Sequence, residues 1–179
     1  MIIQYASDLH IEFPENREYL AAKPIKPVGE ILLLAGDIVP FAVMDKHMDF
    51  FSELSDNFKH VFWVPGNHEY YYLDINNRSG VLNEKIKENV SLINNSSVVI
   101  DKTKLIFSTL WSKISDGNSF FIERGLNDFH VVKYNNERFS ANQYNLLHNE
   151  SIDFIKSELE EETVHNRIVV THHVPTFMN

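Results

Sequence analysis

The stretch His60-Val61-Phe62-Trp63-Val64-Pro65-Gly66-Asn67-His68-Glu69-Tyr70-Tyr71-Tyr72 decides how the rest of the chain is read. Val61–Val64 is apolar and stops at Pro65-Gly66, so it reads as a short buried strand that ends in a turn. Directly after the turn come Asn67, His68 and Glu69, three polar side chains able to bind ligands. Open α/β sheets place their chemistry on loops at the carboxyl ends of buried strands. One such loop is a hint only.

Three further loops repeat the arrangement. Ile2–Ala6 favours a strand and runs into Ser7-Asp8-Leu9-His10. Glu30–Ala35 holds the continuous apolar run Ile31-Leu32-Leu33-Leu34-Ala35, which suits a strand buried on both faces, and it ends at Gly36-Asp37. Ile168–Val170 is β-branched and ends at Thr171-His172-His173. Taken singly, each loop is better explained as a turn signal, a capping Asp or an exposed His. Jointly, four strand ends each deliver a metal-capable group: Asp8 and His10, Asp37, Asn67, and His172. Neighbouring strands lie about 4.8 Å apart, so groups distant in sequence converge at such an edge. His47, His60, His130, His148 and His165 lack this context and read as structural or surface residues.

The intervening segments complete an α/β pattern. Pro14, Pro24 and Pro27 mark residues 11–29 as surface loop, with a turn of helix around Glu15–Ala22. Met44–Phe58 carries apolar residues at helical spacing, so strand, helix and strand form a βαβ unit of a parallel sheet. Residues 81–93 show the same spacing at Leu82, Ile86, Val90 and Ile93 and are expected to be helical. Ser97–Ile100 and Lys104–Thr109 read as a hairpin, residues 111–138 as a long surface excursion, and Ser140–Glu162 as the longest helix. Within the excursion, Trp111, Asn127 and Asp128 are candidates for shaping a pocket. The acidic end, Glu158 and Glu160–Glu162, reads as a solvated face.

Composition narrows the chemistry. The 179 residues suit one domain spanning 1–179, and 44% hydrophobic with 23% charged residues is ordinary for a soluble globular protein. No apolar run approaches the roughly 20 residues of a membrane span. The amino terminus carries neither a basic region nor a cleavage pattern, so a cytoplasmic location without membrane attachment is expected. With no cysteine, disulfides, thiol catalysis and thiolate metal sites are excluded. Any metal must use nitrogen and oxygen donors, a set suited to Mn, Fe, Zn or Mg. A net charge of −9 without a basic run argues against nucleic acid as a partner, while a small phosphorylated substrate, a nucleotide included, stays open.

Asp8-Leu9-His10, Gly36-Asp37, Gly66-Asn67-His68-Glu69 and Thr171-His172-His173-Val174-Pro175 occur in the order found in calcineurin-like metallophosphoesterases, and the chain resembles that family over nearly its whole length. The resemblance implies an α/β/β/α sandwich of two sheets, with two divalent metal ions, manganese favoured, at the strand ends. It further implies that Asp8 and His10 bind one metal, that Asp37 bridges both, and that Asn67 and His172 bind the second. His68 would act beside them as a general acid or as a stabiliser of developing charge. The implied reaction is hydrolysis of a phosphomonoester or phosphodiester by activated water.

Two departures qualify the resemblance. Many members carry an acid three residues after the bridging Asp, where it orients the histidine of Gly-Asn-His; here that position is Pro40. Glu69 is the nearest sequence candidate to replace it. The family's Gly-His-x-His block is absent from these residues, so the sandwich is expected to be incomplete at its C-terminus, with exposed apolar surface favouring self-association. The alternative function is accordingly a catalytically impaired or non-catalytic scaffold or fragment. A zinc peptidase fits poorly, because Tyr72 stands where His-Glu-x-x-His needs its second histidine.

Overall fold

The computed structural model describes residues 1–161 and 166–176. The expected helix end at Glu162 and the surface residue His165 lie outside the described residues. The first sheet contains β1 (Ile3–Ala6), β2 (Ile31–Ala35), β3 (His60–Val64), β4 (Leu82–Lys87) and β5 (Val90–Asn94), in the spatial order β1-β2-β3-β5-β4. β1, β2, β3 and β5 run parallel, and β4 closes the edge antiparallel to β5. The second sheet pairs β6 (Ser96–Ile100) antiparallel with β7 (Thr103–Ser108), and β10 (Asn166–Thr171) parallel with β7.

The period of two along the strands builds the layers. Ile31 and Leu33 of β2, with Phe62 and Val64 of β3, face the second sheet and meet Leu105, Phe107 and Val170 there. Leu32, Leu34, Val61 and Trp63 point to the opposite face, against Phe51, Leu54 and Phe58. That is why β2 is apolar at every position: both of its faces are covered. The covering elements are α1 (Pro14–Ala22), begun by a proline at a position whose missing N–H costs nothing, and α2 (Met48–Asn57). The helical stretch expected over 44–58 divides into a 3₁₀ segment, Phe41–His47, followed by α2. On the outer side of the second sheet packs α5 (Ala141–Glu160). Its Ser140 hydroxyl and Gln143 side chain form a reciprocal capping box. Among the described residues, no helix is long and apolar enough to cross a membrane.

Two segments depart from the sequence reading. Residues 81–93 form the β4–β5 hairpin, not a helix. In β4 the burial alternates along the strand, and β5 is buried throughout, so the apolar positions also fit two strands broken at Glu88-Asn89. Asn89 fixes the break by donating its side-chain amide to Ser55 O at 2.9 Å and Phe58 O at 2.7 Å, beneath the end of α2. The excursion 111–138 is also more than surface. It holds α3 (Asp116–Gly125), the short α4 (Asp128–Val131), and the small ribbon of β8 (Lys133–Tyr134) and β9 (Glu137–Arg138). Trp111, Asp128 and Phe129 are buried.

Candidate metal centre

The loops that follow β1 and β2 are zipped together by their own backbones. Asp8 N donates to Gly36 O at 3.0 Å, His10 N to Asp37 O at 3.0 Å, and Ile11 N to Ile38 O at 2.9 Å. Holding this course places Asp8, His10 and Asp37 at φ values of 55°, 45° and 56°. Left-handed backbone at a non-glycine residue costs on the order of 1–3 kcal/mol, and such strain concentrates at functional sites. Three candidate site residues share it, next to Gly36, which reaches φ 89° at no steric cost.

Glu69 holds the third loop against the second. It lies in a 3₁₀ turn, His68–Tyr70, that turns its carboxylate into the protein, where it is 0% exposed. Oε2 accepts from Asp37 N at 2.9 Å and Gly66 N at 2.7 Å; Oε1 accepts from Ile38 N at 2.7 Å and Trp63 Nε1 at 3.0 Å. Burial and then the charge of Asp37 push this carboxyl up to about 8, while the backbone donors pull against them. Four donors and no acceptor around it favour the ionised form. Glu69 therefore does not orient His68, contrary to the role its sequence position suggested; it fixes the loops.

At Gly36 and Gly66 the loops leave no room for a side chain. A Cβ on Gly66 would lie 2.1 Å from Asp37 Oδ1 and 2.8 Å from His172 Nε2, and one on Gly36 would strike the His172 ring. Between these loops the strand ends deliver two groups of donors. Asp8, Asp37 and His172 place donor atoms within 4.8 Å of one another, as do His10, Glu12 and His68. Asp37 stands between the groups. Its Oδ1 is 3.5 Å from His172 Nε2, and its Oδ2 is 3.8 Å from His10 Nε2 and 3.9 Å from His68 Nε2.

Hydrogen-bond partners settle which atoms face inward. His172 Nδ1 lies 2.9 Å from Ala35 O, a carbonyl that can only accept, so in the neutral tautomer Nδ1 carries the proton and Nε2 is the free ligand atom. Asn67 Nδ2 donates to Asp128 Oδ1 at 2.8 Å, which leaves Asn67 Oδ1 facing His172 Nε2 at 3.3 Å. A bare imidazole nitrogen, an amide oxygen and a carboxylate oxygen thus face one another with no donor among them. Acceptors so arranged fit a divalent cation, and the nitrogen–oxygen set suits Mn, Fe, Zn or Mg.

His68 stacks on Tyr71, with centroids 4.1 Å apart at 23°, and meets His10 edge-on at 4.7 Å. No acid stands at position 40, but Glu12 lies in the same donor group. Its Oε1 is 3.3 Å from His10 Nδ1, and its buried Oε2 has no hydrogen-bond partner among the described residues. Sequence reasoning passed over Glu12, although its place two residues after His10 was a visible signal. Asp128 was read only as a pocket candidate. Asn127 is exposed at the start of α4, and Trp111 is packed among Tyr70, Phe139 and Tyr144, so neither touches the donor groups.

His173 turns away from the centre. Its Nδ1 lies 3.4 Å from Thr109 O and its Nε2 lies 3.3 Å from the Tyr144 hydroxyl. Burial and then neighbouring His172 push it down to about 4 from 6.5, with the Thr109 carbonyl working in the opposite direction. Below pH 6.5 the unfolded chain takes up a proton here that the folded chain refuses, so stability falls as the pH drops from 6.5 toward 4. His173→Gln is expected to flatten that part of the profile in urea unfolding measured between pH 7 and 4.5. Parallel profiles for variant and wild type would contradict the assignment.

The family model described as calcineurin-like phosphoesterase matches residues 3–178. An uncharacterized protein of Acanthamoeba polyphaga mimivirus is 35% identical over 196 aligned positions, covering 98% of this chain and 69% of that protein. The crystal structure of a phosphopantetheinyl hydrolase from Mycobacterium tuberculosis has the same fold, with a TM-score of 0.64 at 17% identity over 96% of this chain and 68% of its own. The matching family is one of metal-dependent hydrolases, and the donors converging on Asp37 accord with its need for divalent ions. The chain belongs to the calcineurin-like phosphoesterase family.

Proposed function

We propose that the chain hydrolyses phosphomonoester or phosphodiester bonds of a small phosphorylated substrate at a centre for two divalent cations, manganese favoured. Asp8 and His10 hold one cation, Asn67 and His172 the other, and Asp37 is shared. The observation that carries this reading is the placement of Asp37, whose Oδ2 lies 3.8 Å from His10 Nε2 and whose Oδ1 lies 3.5 Å from His172 Nε2; Asp8 lies within 4.8 Å of Asp37 and His172 and so borders the shared position. When bound, the two cations supply Lewis acidity toward water and a phosphoryl group. Asn67 contributes an oxygen without charge, which keeps the second donor group from becoming overly anionic. His68 holds a proton at the rim, with its ring aligned by Tyr71 and its backbone N–H donating to Asp37 Oδ1 at 3.1 Å. From there it protonates the leaving oxygen or hydrogen-bonds the charge that develops on it.

The test is hydrolysis of bis(p-nitrophenyl) phosphate by the purified chain. The expected result is activity with Mn²⁺, its loss on chelation and its return when Mn²⁺ is restored. Asn67→Ala should lower the rate about a hundredfold, equivalent to about 3 kcal/mol. Activity that survives chelation would sink the proposal. The second reading, a scaffold that binds cations without turnover, draws on Pro40, which leaves His68 without the acid many relatives use. Stoichiometric Mn²⁺ binding with no hydrolysis of either ester class would favour it.

A further inference from the structure

Outside the residues that face the donor groups lies a further buried carboxyl, that of Asp128. Asp128 is 1% exposed. Its Oδ1 accepts from Asn67 Nδ2 at 2.8 Å and from the Tyr71 hydroxyl at 2.8 Å, while Oδ2 is buried without a hydrogen-bond partner among the described residues. No positively charged group is paired with it in a salt bridge among the described residues. A buried carboxyl with only neutral partners and one unpartnered oxygen is costly to desolvate. The compensation must be sought in what Asp128 arranges.

We propose that Asp128 is the positioning residue of the centre, fixing through one oxygen both the Asn67 amide and the Tyr71 ring under His68. An asparagine amide can turn over, exchanging its oxygen for its NH₂ group. With Nδ2 against a carboxylate, only the orientation that presents Oδ1 toward His172 remains. The flipped amide would aim a donor at the space where acceptors gather. The second bond works on His68: the Tyr71 hydroxyl is anchored at Asp128, and the Tyr71 ring is the surface on which His68 lies. Burial and then the charge of Asp128 push the Tyr71 hydroxyl well above its ordinary range, so it remains a donor.

The fold carries Asp128 to this place by stitching two distant segments. Tyr72 N donates to Val131 O at 3.1 Å, Lys133 N donates to Leu73 O at 2.9 Å, and a bridge joins Asp74 to Lys133. The chain after Gly66-Asn67-His68 and the chain around α4 are therefore joined by their backbones. Asp128, at the first turn of α4, lies beneath Asn67 despite a separation of 61 residues.

The inference rests on the proposed role of Asn67 as a ligand, so the experiment separates the two. The metal-free chain and its variants are titrated with MnCl₂ in a calorimeter. Asp128→Leu keeps bulk but removes the acceptor, and it is expected to weaken Mn²⁺ binding about 10- to 100-fold, as loss of an outer partner does. Asp128→Asn retains an acceptor oxygen for both donors and is expected to remain within a few fold of wild type. A purely structural role would lower the urea midpoint of Asp128→Leu while leaving the Mn²⁺ affinity of its folded form within a few fold of wild type. The inference is overturned if Asp128→Leu titrates like wild type, or if Asp128→Asn falls as far as Asp128→Leu. If Asn67→Ala leaves Mn²⁺ binding unchanged, the ligand role of Asn67 fails and this inference fails with it. If Asn67→Ala weakens binding and Asp128→Leu does not, only the inference fails. Should Asp128→Leu not fold, the wild-type chain alone supplies the decision by nuclear magnetic resonance. The Asn67 side-chain amide protons should exchange more slowly than those of an exposed asparagine, and exchange at the exposed rate overturns the proposal.

Discussion

Asp37→Ala is expected to lose at least a thousandfold in Mn²⁺-dependent hydrolysis, about 4 kcal/mol of transition-state stabilisation. The size of the loss follows from how many partners one carboxylate serves. Oδ1 faces His172 and accepts from the backbone N–H of His68, and Oδ2 faces His10 and His68. Its removal takes a donor from both halves of the centre at once, whereas Asn67→Ala empties one half only. Stability should change little. Asp37 shares its surroundings with Asp8, and its backbone N–H is bonded to the buried carboxylate of Glu69. Without cations, removing one of these crowded carboxyls relieves repulsion and offsets the loss of the acceptor for His68 N–H, so the metal-free variant is expected to unfold close to the wild-type urea midpoint. A variant that keeps a tenth of the wild-type rate would refute the shared position of Asp37.

Glu69→Ala is expected to have the largest effect on the fold, about 3–5 kcal/mol in urea unfolding. Truncation leaves three backbone N–H groups and the Trp63 indole N–H without their acceptor in a region sealed from water. A typical domain has only about 5–15 kcal/mol in total, so the variant should be marginal. Glu69→Gln should do little better. Its amide NH₂ would have to face either the Asp37 and Gly66 N–H pair or the Ile38 and Trp63 pair, donor against donor. A loss below about 1 kcal/mol in Glu69→Ala would show that water reaches these groups and that the carboxylate is not what joins the loops.

The parts of the centre that were legible in the sequence are those that follow directly on strands. Asp8, His10, Asp37 and Asn67 each sit within a few residues of a short apolar run, and one parallel sheet brings those ends together whatever the helices do; His172 also follows such a run, but its strand belongs to the second sheet. The rest depended on direction and on distant pairing. His68 and Glu69 are neighbours in the chain, yet the 3₁₀ turn sends one toward Asp37 Oδ2 and the other into the core. Sequence adjacency carries no record of that turn. Asp128 comes from a segment without periodicity, and only the backbone bonds at Tyr72 and Lys133 reveal its destination. The hairpin of β4 and β5 was misread for a different reason. Leu82, Ile86, Val90 and Ile93 satisfy a helical period and a strand pattern equally, and the deciding residue, Asn89, acts through side-chain bonds to α2.

His172 differs from its companions in origin. Asp8, Asp37 and Asn67 follow strands of the first sheet, but His172 follows β10 of the second and reaches across to Ala35 O, at the end of β2. The two sheets also meet through apolar side chains such as Phe62 against Phe107, and Thr109, just after β7, donates its hydroxyl to Pro65 O at 2.7 Å. A cation gripped by both sheets would lock their relative offset at the mouth of the sandwich. Ion occupancy then becomes a mechanical property of the protein as well as a chemical one. At a hundred times its dissociation constant, an ion bound only by the folded state adds about 2.7 kcal/mol against unfolding. Much of that resistance would act at the seam between the sheets, adding to the apolar contacts, the His172 bond to Ala35 O and the Thr109 bonds to Pro65 O and Asn94 that join the halves in the metal-free protein.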